Sequence, residues 1–206
     1  MNDLRFFDKG HIYMMDGERV PSVSDLCRFI SREVYGDAPG WAMEAAAERG
    51  TAVHKATEEL DKTGTASIDS YWAGYLEAYR KFLTEHEVEW ELIEHPDWHE
   101  EHRYAGTLDR YGKVDGILTL VDLKTASKVQ KPLYGASMNF YRMILERRGK
   151  DVERLLILHL KKDGTYKLVP LDKDDEVPMA LIRLHQVTAA GRRRGKRGNT
   201  EGIQRH

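Results

Sequence analysis

Apolar and polar positions change period several times along the chain, and each change marks an element. Residues 5–20 read as a short β-hairpin, Phe6 to Tyr13 and onward, with Asp16-Gly17 as its turn. Pro21-Ser22-Val23-Ser24 ends it, and Ser22 or Ser24 supplies the N-cap of a helix through Leu26, Phe29 and Ile30. Residues 36–40, Gly-Asp-Ala-Pro-Gly, break that pattern. An alanine- and glutamate-rich helix follows from about Trp41 to Lys62, and Gly64 interrupts it. A third helix covers Ser70 to His86. Its Trp72, Tyr75, Leu76, Tyr79 and Leu83 recur at helical spacing and read as core rather than as a base-stacking platform. The remaining chain predicts strands at Glu89 to Glu94, on either side of Asp115-Gly116, at Arg154 to Lys161 and at Tyr166 to Pro170. Asp163-Gly164 joins the last two. Leu133 to Arg148 reads as a helix burying Ala136, Phe140 or Tyr141, and Ile144, and Asp174 to Ala190 as a final one. Such an order describes an α/β domain on one mixed sheet flanked by helices.

The dipeptide Asp115-Gly116 has a consequence for chemistry. It favours the positive φ angles of a tight type I′ turn, so Val114 pairs with Ile117. Continuing in step places Asp109 opposite Asp122 and Thr107 opposite Lys124. Directly opposed carboxylates repel, and a divalent cation between them reverses the sign. Strict alternation through Leu120-Val121-Asp122-Leu123-Lys124-Thr125 sends Asp122 and Lys124 to one face, Val121 and Leu123 to the other. A hard cation held by one or two carboxylates keeps waters for a phosphate substrate, and Lys124 adds a compact positive charge beside them. Gly106, without a side chain, leaves room for a nucleic-acid backbone. An amphipathic edge strand gives the same alternation, and a slip at Tyr111-Gly112-Lys113 would turn Asp109 to the opposite face.

Composition narrows the class. At 206 residues and 41% hydrophobic, the chain fits one soluble domain with a full core. It shows no secretory signal and no membrane-spanning run. Cys27 is the one cysteine, which excludes an internal disulfide and a multi-cysteine zinc site, and a reducing, cytoplasmic setting is expected. The net charge of −2 is unevenly spread. Six Lys or Arg against Glu201 give residues 191–206 a charge of +5, leaving −7 on residues 1–190. A basic end beside an acidic body suits a polyanionic partner, and equally a solvated, disordered terminus.

Upstream, Gly50-Thr51-Ala52-Val53-His54 lies inside the alanine-rich helix, with Glu58 on the same face four residues after His54. A surface His–Glu hydrogen bond accounts for that pair by itself. Gly50 argues for more, because glycine in mid-helix costs about 1 kcal/mol against alanine.

Together, Gly50-Thr-x-x-His54, Gly106-Thr-x-Asp109 and Asp122-x-Lys124-Thr125 resemble the motifs of PD-(D/E)XK nucleases. In order and spacing they are most similar to the RecB-like exonuclease branch, which includes phage and mitochondrial exonucleases. The segment His11-x-Tyr13, Asp16-Gly17, Pro21-Ser22-Val23-Ser24 resembles the opening of phage-type members, and the likeness covers about residues 5–160. It implies a single restriction-endonuclease-like domain over residues 1–190, with 191–206 as a basic, disordered tail. It also implies Asp109, Asp122, His54 and the Leu123 carbonyl as ligands of Mg²⁺ or Mn²⁺. Lys124 becomes the residue that orients or activates the attacking water, Glu58 a neighbour of the metal or its waters, and Glu91 an outer carboxylate. Tyr141 matches a family tyrosine, while Ser137 stands where the family often has glutamine, so a group that contacts the DNA backbone or orders the site is expected to be missing or replaced. Thr107 and Thr125 complete the expected substrate contacts. Phosphate contacts are expected from Lys128, Lys131, Arg142 and the basic tail. No residue set suggests base-edge readout.

The resulting expectation is a sequence-independent, metal-dependent DNA exonuclease of recombination, repair or phage DNA metabolism. Its partners would be single-stranded DNA or duplex ends and a recombination or annealing protein, with no membrane. The alternatives are a structure-selective flap or branch endonuclease, a non-catalytic nucleic-acid-binding module on the same fold, and a metal-binding regulatory protein with no nucleic-acid role.

Overall fold

A computed structural model of the chain describes residues 4–7, 12–36 and 38–201, the last eleven by their backbone. His11, in the opening segment, lies outside the described residues. Strands β1 (Leu4–Phe7), β2 (Ile12–Met15) and β3 (Glu18–Val20) form a small antiparallel sheet, one strand more than the expected hairpin. Asp16 (φ 51°) and Gly17 (φ 78°) make the tight turn between β2 and β3. Ser22 then caps α1 (Val23–Leu26): its Oγ accepts from the Asp25 amide at 3.0 Å while the Asp25 carboxylate accepts from the Ser22 amide at 3.1 Å. The helix breaks at Cys27 and resumes as α2 (Arg28–Tyr35), which leaves Phe29 exposed rather than in the core. Helix α3 (Gly40–Thr63) ends at Gly64 (φ 77°), whose amide donates to the Leu60 carbonyl. A 3₁₀ turn at Ser70–Trp72 leads into α4 (Ala73–Glu85).

The main sheet contains β4 (Val88–His99), β5 (Tyr104–Val114), β6 (Ile117–Lys124), β7 (Arg154–Leu160) and β8 (Tyr166–Leu171) in sequential order. All neighbours are antiparallel except β6 and β7, which run parallel and are joined through α5 (Lys131–Arg147). The Asp115-Gly116 turn sets the predicted register, from Val114↔Ile117 to Arg110↔Val121. There the β5–β6 ladder stops. Asp109 and Asp122, next in step, are not backbone-paired; the Asp109 carboxylate accepts from the Leu123 amide at 2.7 Å instead. The irregularity expected near Gly112 falls on β4, where Glu91 bulges between Trp90↔Gly112 and Leu92↔Tyr111. Gly112 is what lets β4 approach, since a Cβ there would lie 2.1 Å from the Glu89 carbonyl oxygen. Strand β4 also runs to His99, beyond the expected end at Glu94.

Helices α3 and α4 cover one sheet face, packing Val53, Leu60, Tyr79 and Phe82 against Val121, Leu123, Leu156 and Leu158. Helix α5 covers the other with Tyr134, Met138 and Leu145 against Leu108, Tyr111, Leu120 and Ile157. The near-continuous apolar run of β7 is what a strand covered on both faces requires. Outside α5 lie α1 and α6 (Glu176–Glu201), which contributes Leu181 and Ile182 to a further cluster. The backbone of α6 passes the expected end at Ala190 and carries the basic segment to Glu201. No helix among the described residues is long and apolar enough to cross a membrane.

Candidate active site

The gap where β5 and β6 part is filled by side chains. Asp109 sits at the break on β5 and Asp122 on β6. Glu94 sits on β4 between the pairs Ile93↔Arg110 and His95↔Leu108, level with Asp109. Three carboxylates thus occupy one row across three adjacent strands. From the α3 side, His54 closes over them. Its Nδ1 lies 3.0 Å from Glu94 Oε1, and its Nε2 lies 3.2 Å from the Leu123 carbonyl oxygen and 3.7 Å from Asp109 Oδ2. His54, Glu94 and Asp109 offer ligand atoms within 4.8 Å of one another.

Asp122 and Lys124 form the other half. Lys124 Nζ lies 2.5 Å from Asp122 Oδ2 and 5.2 Å from the Tyr134 ring centroid. That carboxylate oxygen is buried, with the Lys124 ammonium against it. Burial, reinforced by Asp109, pushes the Asp122 carboxyl up to about 6 against the pull of Lys124. Burial works against the Lys124 ammonium, but Asp122 and Asp109 outweigh it and raise its pKa. Burial also opposes a charged His54, yet Asp109 and Glu94 raise it to about 9. Burial disfavours the Glu94 carboxylate, while His54 and Arg110 hold it below its ordinary range.

Arg110 completes the frame, and nothing in the sequence singled it out. Its side chain is 0% exposed. The guanidinium donates to Asp61 Oδ2 at 2.7 Å, Glu94 Oε1 at 2.9 Å, the Asp109 carbonyl at 2.8 Å and Thr57 Oγ1 at 3.2 Å. Tyr79 donates to the same Asp61 oxygen at 2.7 Å and receives the Trp90 indole N–H at 3.2 Å. A buried cation is tolerated only when paired and fully hydrogen-bonded, and this one fixes Glu94 against His54.

Not every expected residue joins the site. Glu58 pairs with Lys62 at 2.5 Å, and Glu91, at the β4 bulge, with Lys150 at 2.8 Å, so neither faces the cluster. The carboxylate beside His54 is Glu94 instead. Arg142 is buried and committed to Asn139, Glu146 and Asp175, as a brace between α5 and the start of α6 rather than a phosphate contact. Lys128 and Lys131 are exposed. Tyr141 approaches the carboxylates, and burial followed by Asp109 and Asp122 raises its hydroxyl well above the ordinary value. The space at Gly106 belongs to that tyrosine, not to a ligand: a Cβ there would lie 2.6 Å from Tyr141 Cε1 and 3.0 Å from Val23. Thr107 shares a 2.9 Å hydrogen bond with Tyr13 on β2, and Ser137 donates to the Tyr134 carbonyl at 3.0 Å. Thr125 accepts from Arg49 at 3.2 Å. At Gly50 a Cβ would meet nothing within 4 Å, so packing gives no reason for this mid-helix glycine.

The donor set fits a hard divalent cation. Carboxylate oxygens, one imidazole nitrogen and a backbone carbonyl suit Mg²⁺ or Mn²⁺, with the nitrogen favouring the latter. Glu94, Asp109 and His54 bring ligand atoms within 4.8 Å of one another, and Asp122 is near enough for Asp109 to raise its carboxyl, a repulsion that such an ion relieves.

Among known proteins, no family model and no curated sequence matches the chain. Solved structures resemble it at low identity. The alkaline exonuclease LHK-Exo from Laribacter hongkongensis is 14% identical with a TM-score of 0.45, over 72% of this chain and 84% of that one. The same enzyme in complex with dAMP gives 14% and 0.48, over 88% and 94%. A phage-related exonuclease from Haemophilus somnus is 10% identical with a TM-score of 0.38, over 80% and 88%.

Proposed function

We propose that this chain is a divalent-metal-dependent DNA nuclease, an exonuclease that hydrolyses phosphodiester bonds without reading sequence. The observation that carries the reading is that Glu94, Asp109 and His54 converge within 4.8 Å, with Asp122 and Lys124 on the neighbouring strand β6. His54, Asp109, Asp122, Glu94 and the Leu123 carbonyl are the groups to hold the cation. A bound Mg²⁺ or Mn²⁺ supplies Lewis acidity toward a phosphoryl oxygen and a nucleophilic water. Lys124, braced by Asp122 and the Tyr134 ring, offers N–H donors that orient the water and stabilise charge gathering on the phosphate oxygens. Arg110 and the Leu123 amide hold Glu94 and Asp109 in place before substrate arrives. The exonuclease mode rests on the motif order in the sequence. DNA as substrate rests on the same motifs and on the basic charge of residues 191–206.

End-labelled single- and double-stranded DNA should be degraded with Mg²⁺ or Mn²⁺ and survive in EDTA. Asp122→Ala and Lys124→Ala should each slow degradation by about 10²-fold or more with unchanged circular dichroism. Wild-type rates in both variants would overturn the reading. A circular single-stranded substrate separates the modes, because an enzyme that needs an end leaves it intact and a structure-selective endonuclease can open a branched one.

A further inference from the structure

Three carboxylates line this site, so a polyanionic strand reaches it only where cations flank the path. Two nearby cations are already committed. Lys124 is tied to Asp122 at 2.5 Å, and Arg110 is buried against Asp61 and Glu94. Arg49 is different. It lies on α3 five residues before His54 and is half-buried, and among the described residues it pairs with no carboxylate. Its Nε donates to Thr125 Oγ1 at 3.2 Å, and its Cζ lies 5.9 Å from the Tyr75 ring centroid. Thr125 directly follows Lys124. Two residues of α3 therefore touch the end of β6 in succession, His54 at the Leu123 carbonyl and Arg49 at Thr125. With Nε anchored, the two terminal nitrogens remain as a planar fork, the geometry that matches two oxygens of a phosphate. Gly50, the next residue, has open space where a Cβ would stand.

Resting on the nuclease reading above, we propose that Arg49, oriented by Thr125, is a substrate-binding residue that grips a backbone phosphate of the bound DNA strand beside the metal site. Thr125 then acts through Arg49 rather than by touching DNA itself. The hydroxyl takes the Nε–H of the guanidinium and leaves the edge formed by the two terminal nitrogens to the phosphate. A substitution at Arg49 should therefore weaken DNA binding uniformly across sequences and leave the cation site intact.

The test is equilibrium binding of a fluorescein-labelled duplex with a single-stranded overhang, in Ca²⁺ across a KCl series, beside Mn²⁺ binding without DNA. Arg49→Gln should weaken DNA binding about tenfold and flatten the slope of log K against log salt by about 0.7–0.9, the loss of one phosphate contact. Arg49→Lys should keep the slope and lose part of the affinity, because the charge stays and the fork does not. Thr125→Val should fall between wild type and Arg49→Gln. Mn²⁺ affinity should be unchanged in all three. If the wild type binds DNA and Arg49→Gln matches it in affinity and slope, the subsite is wrong while the nuclease reading stands. Loss of Mn²⁺ affinity in Arg49→Gln would also overturn it, by making the arginine a support of the fold. Absence of DNA binding by the wild type would defeat the nuclease reading and the subsite with it.

Discussion

Glu94 holds a φ of 43°, in the left-handed region that costs a non-glycine residue about 1–2 kcal/mol. Neighbours on both sides fix it there: His54 at 3.0 Å and Arg110 at 2.9 Å share its Oε1. Strain kept in place by surrounding groups is a mark of functional positions, and it ranks Glu94 above the other acidic candidates. Glu94→Gln should lower Mn²⁺ affinity about 10–100-fold while keeping the hydrogen-bonding shape of the side chain. Glu58→Gln and Glu91→Gln, whose carboxylates face Lys62 and Lys150, should leave it unchanged. Calorimetric titration of the three variants checks the ranking; equal losses in all three would contradict it. The residue scale also shows what a sequence can carry. His54, Asp109, Asp122 and Lys124 were legible because each stands in a short motif with fixed spacing. The partner of His54 was not, because the nearest candidate on its helix face was Glu58, whereas the histidine reaches Glu94 on another element. Arg110 was invisible for a different reason: an arginine within a strand reads as a solvent-facing charge until three-dimensional packing supplies Asp61, Thr57 and Glu94.

At the scale of elements, β5 is the strand on which the site depends, and two glycines govern how it packs. Gly112 admits the β4 bulge and Gly106 admits the Tyr141 ring. The obstacles differ in kind. An alanine at 106 meets a side chain that can move, so Gly106→Ala should cost about 1–3 kcal/mol and displace Tyr141. An alanine at 112 meets backbone of the neighbouring strand, so Gly112→Ala should cost more, above about 3 kcal/mol. Urea unfolding of both gives the order, and a reversed order would refute the argument. The far end of the β4–β5 pair carries a pH-dependent element. Burial, followed by repulsion from His102, pushes His99 down to about 4 from an ordinary 6.5. Its Nδ1 accepts the His102 amide at 3.3 Å, and its ring stacks on Tyr104 with centroids 5.4 Å apart, both consistent with a neutral imidazole. The folded value lies below the unfolded one. The contribution of His99 to stability is therefore complete above pH 6.5 and is lost as the pH falls toward 4. In urea unfolding across that window, wild type should lose more stability than His99→Phe, which keeps the stack and cannot take the proton. Parallel losses in the two proteins would remove His99 from the account. The register of β5 with β6, from Val114↔Ile117 to Arg110↔Val121, was legible because Asp115-Gly116 favours one tight turn geometry. The bulge was not, since glycine at 112 marks a close approach without saying which strand makes it.

The whole molecule is an acidic body with a basic end. Helices on both faces bury the sheet, and that layering was legible because the chain alternates helical and extended periods in an order few arrangements satisfy. The end of α6 was not. The apolar pattern fades at Ala190 while the backbone of α6 continues to Glu201, and the intervening Gly191, Gly195 and Gly198 read from sequence as helix breakers that leave no hydrophobic stripe. Residues 191–206 carry +5 against −7 on residues 1–190, and the carboxylates of the site belong to the negative part. Long-range steering of DNA toward a negatively charged body needs a separate positive region, and this segment is where the sequence concentrates one. Deleting residues 191–206 leaves Leu181 and Ile182, which anchor α6 in the core, so the fold should survive. The deletion should weaken DNA binding in Ca²⁺ and reduce the salt slope by about 2–3, as for a few of the six basic residues lying on phosphates. Mn²⁺ affinity and the pace of cleavage at saturating DNA should stay as in the full chain, because the segment acts on encounter and not on the row of carboxylates. An unchanged slope would make the segment a solvated terminus that takes no part in holding DNA.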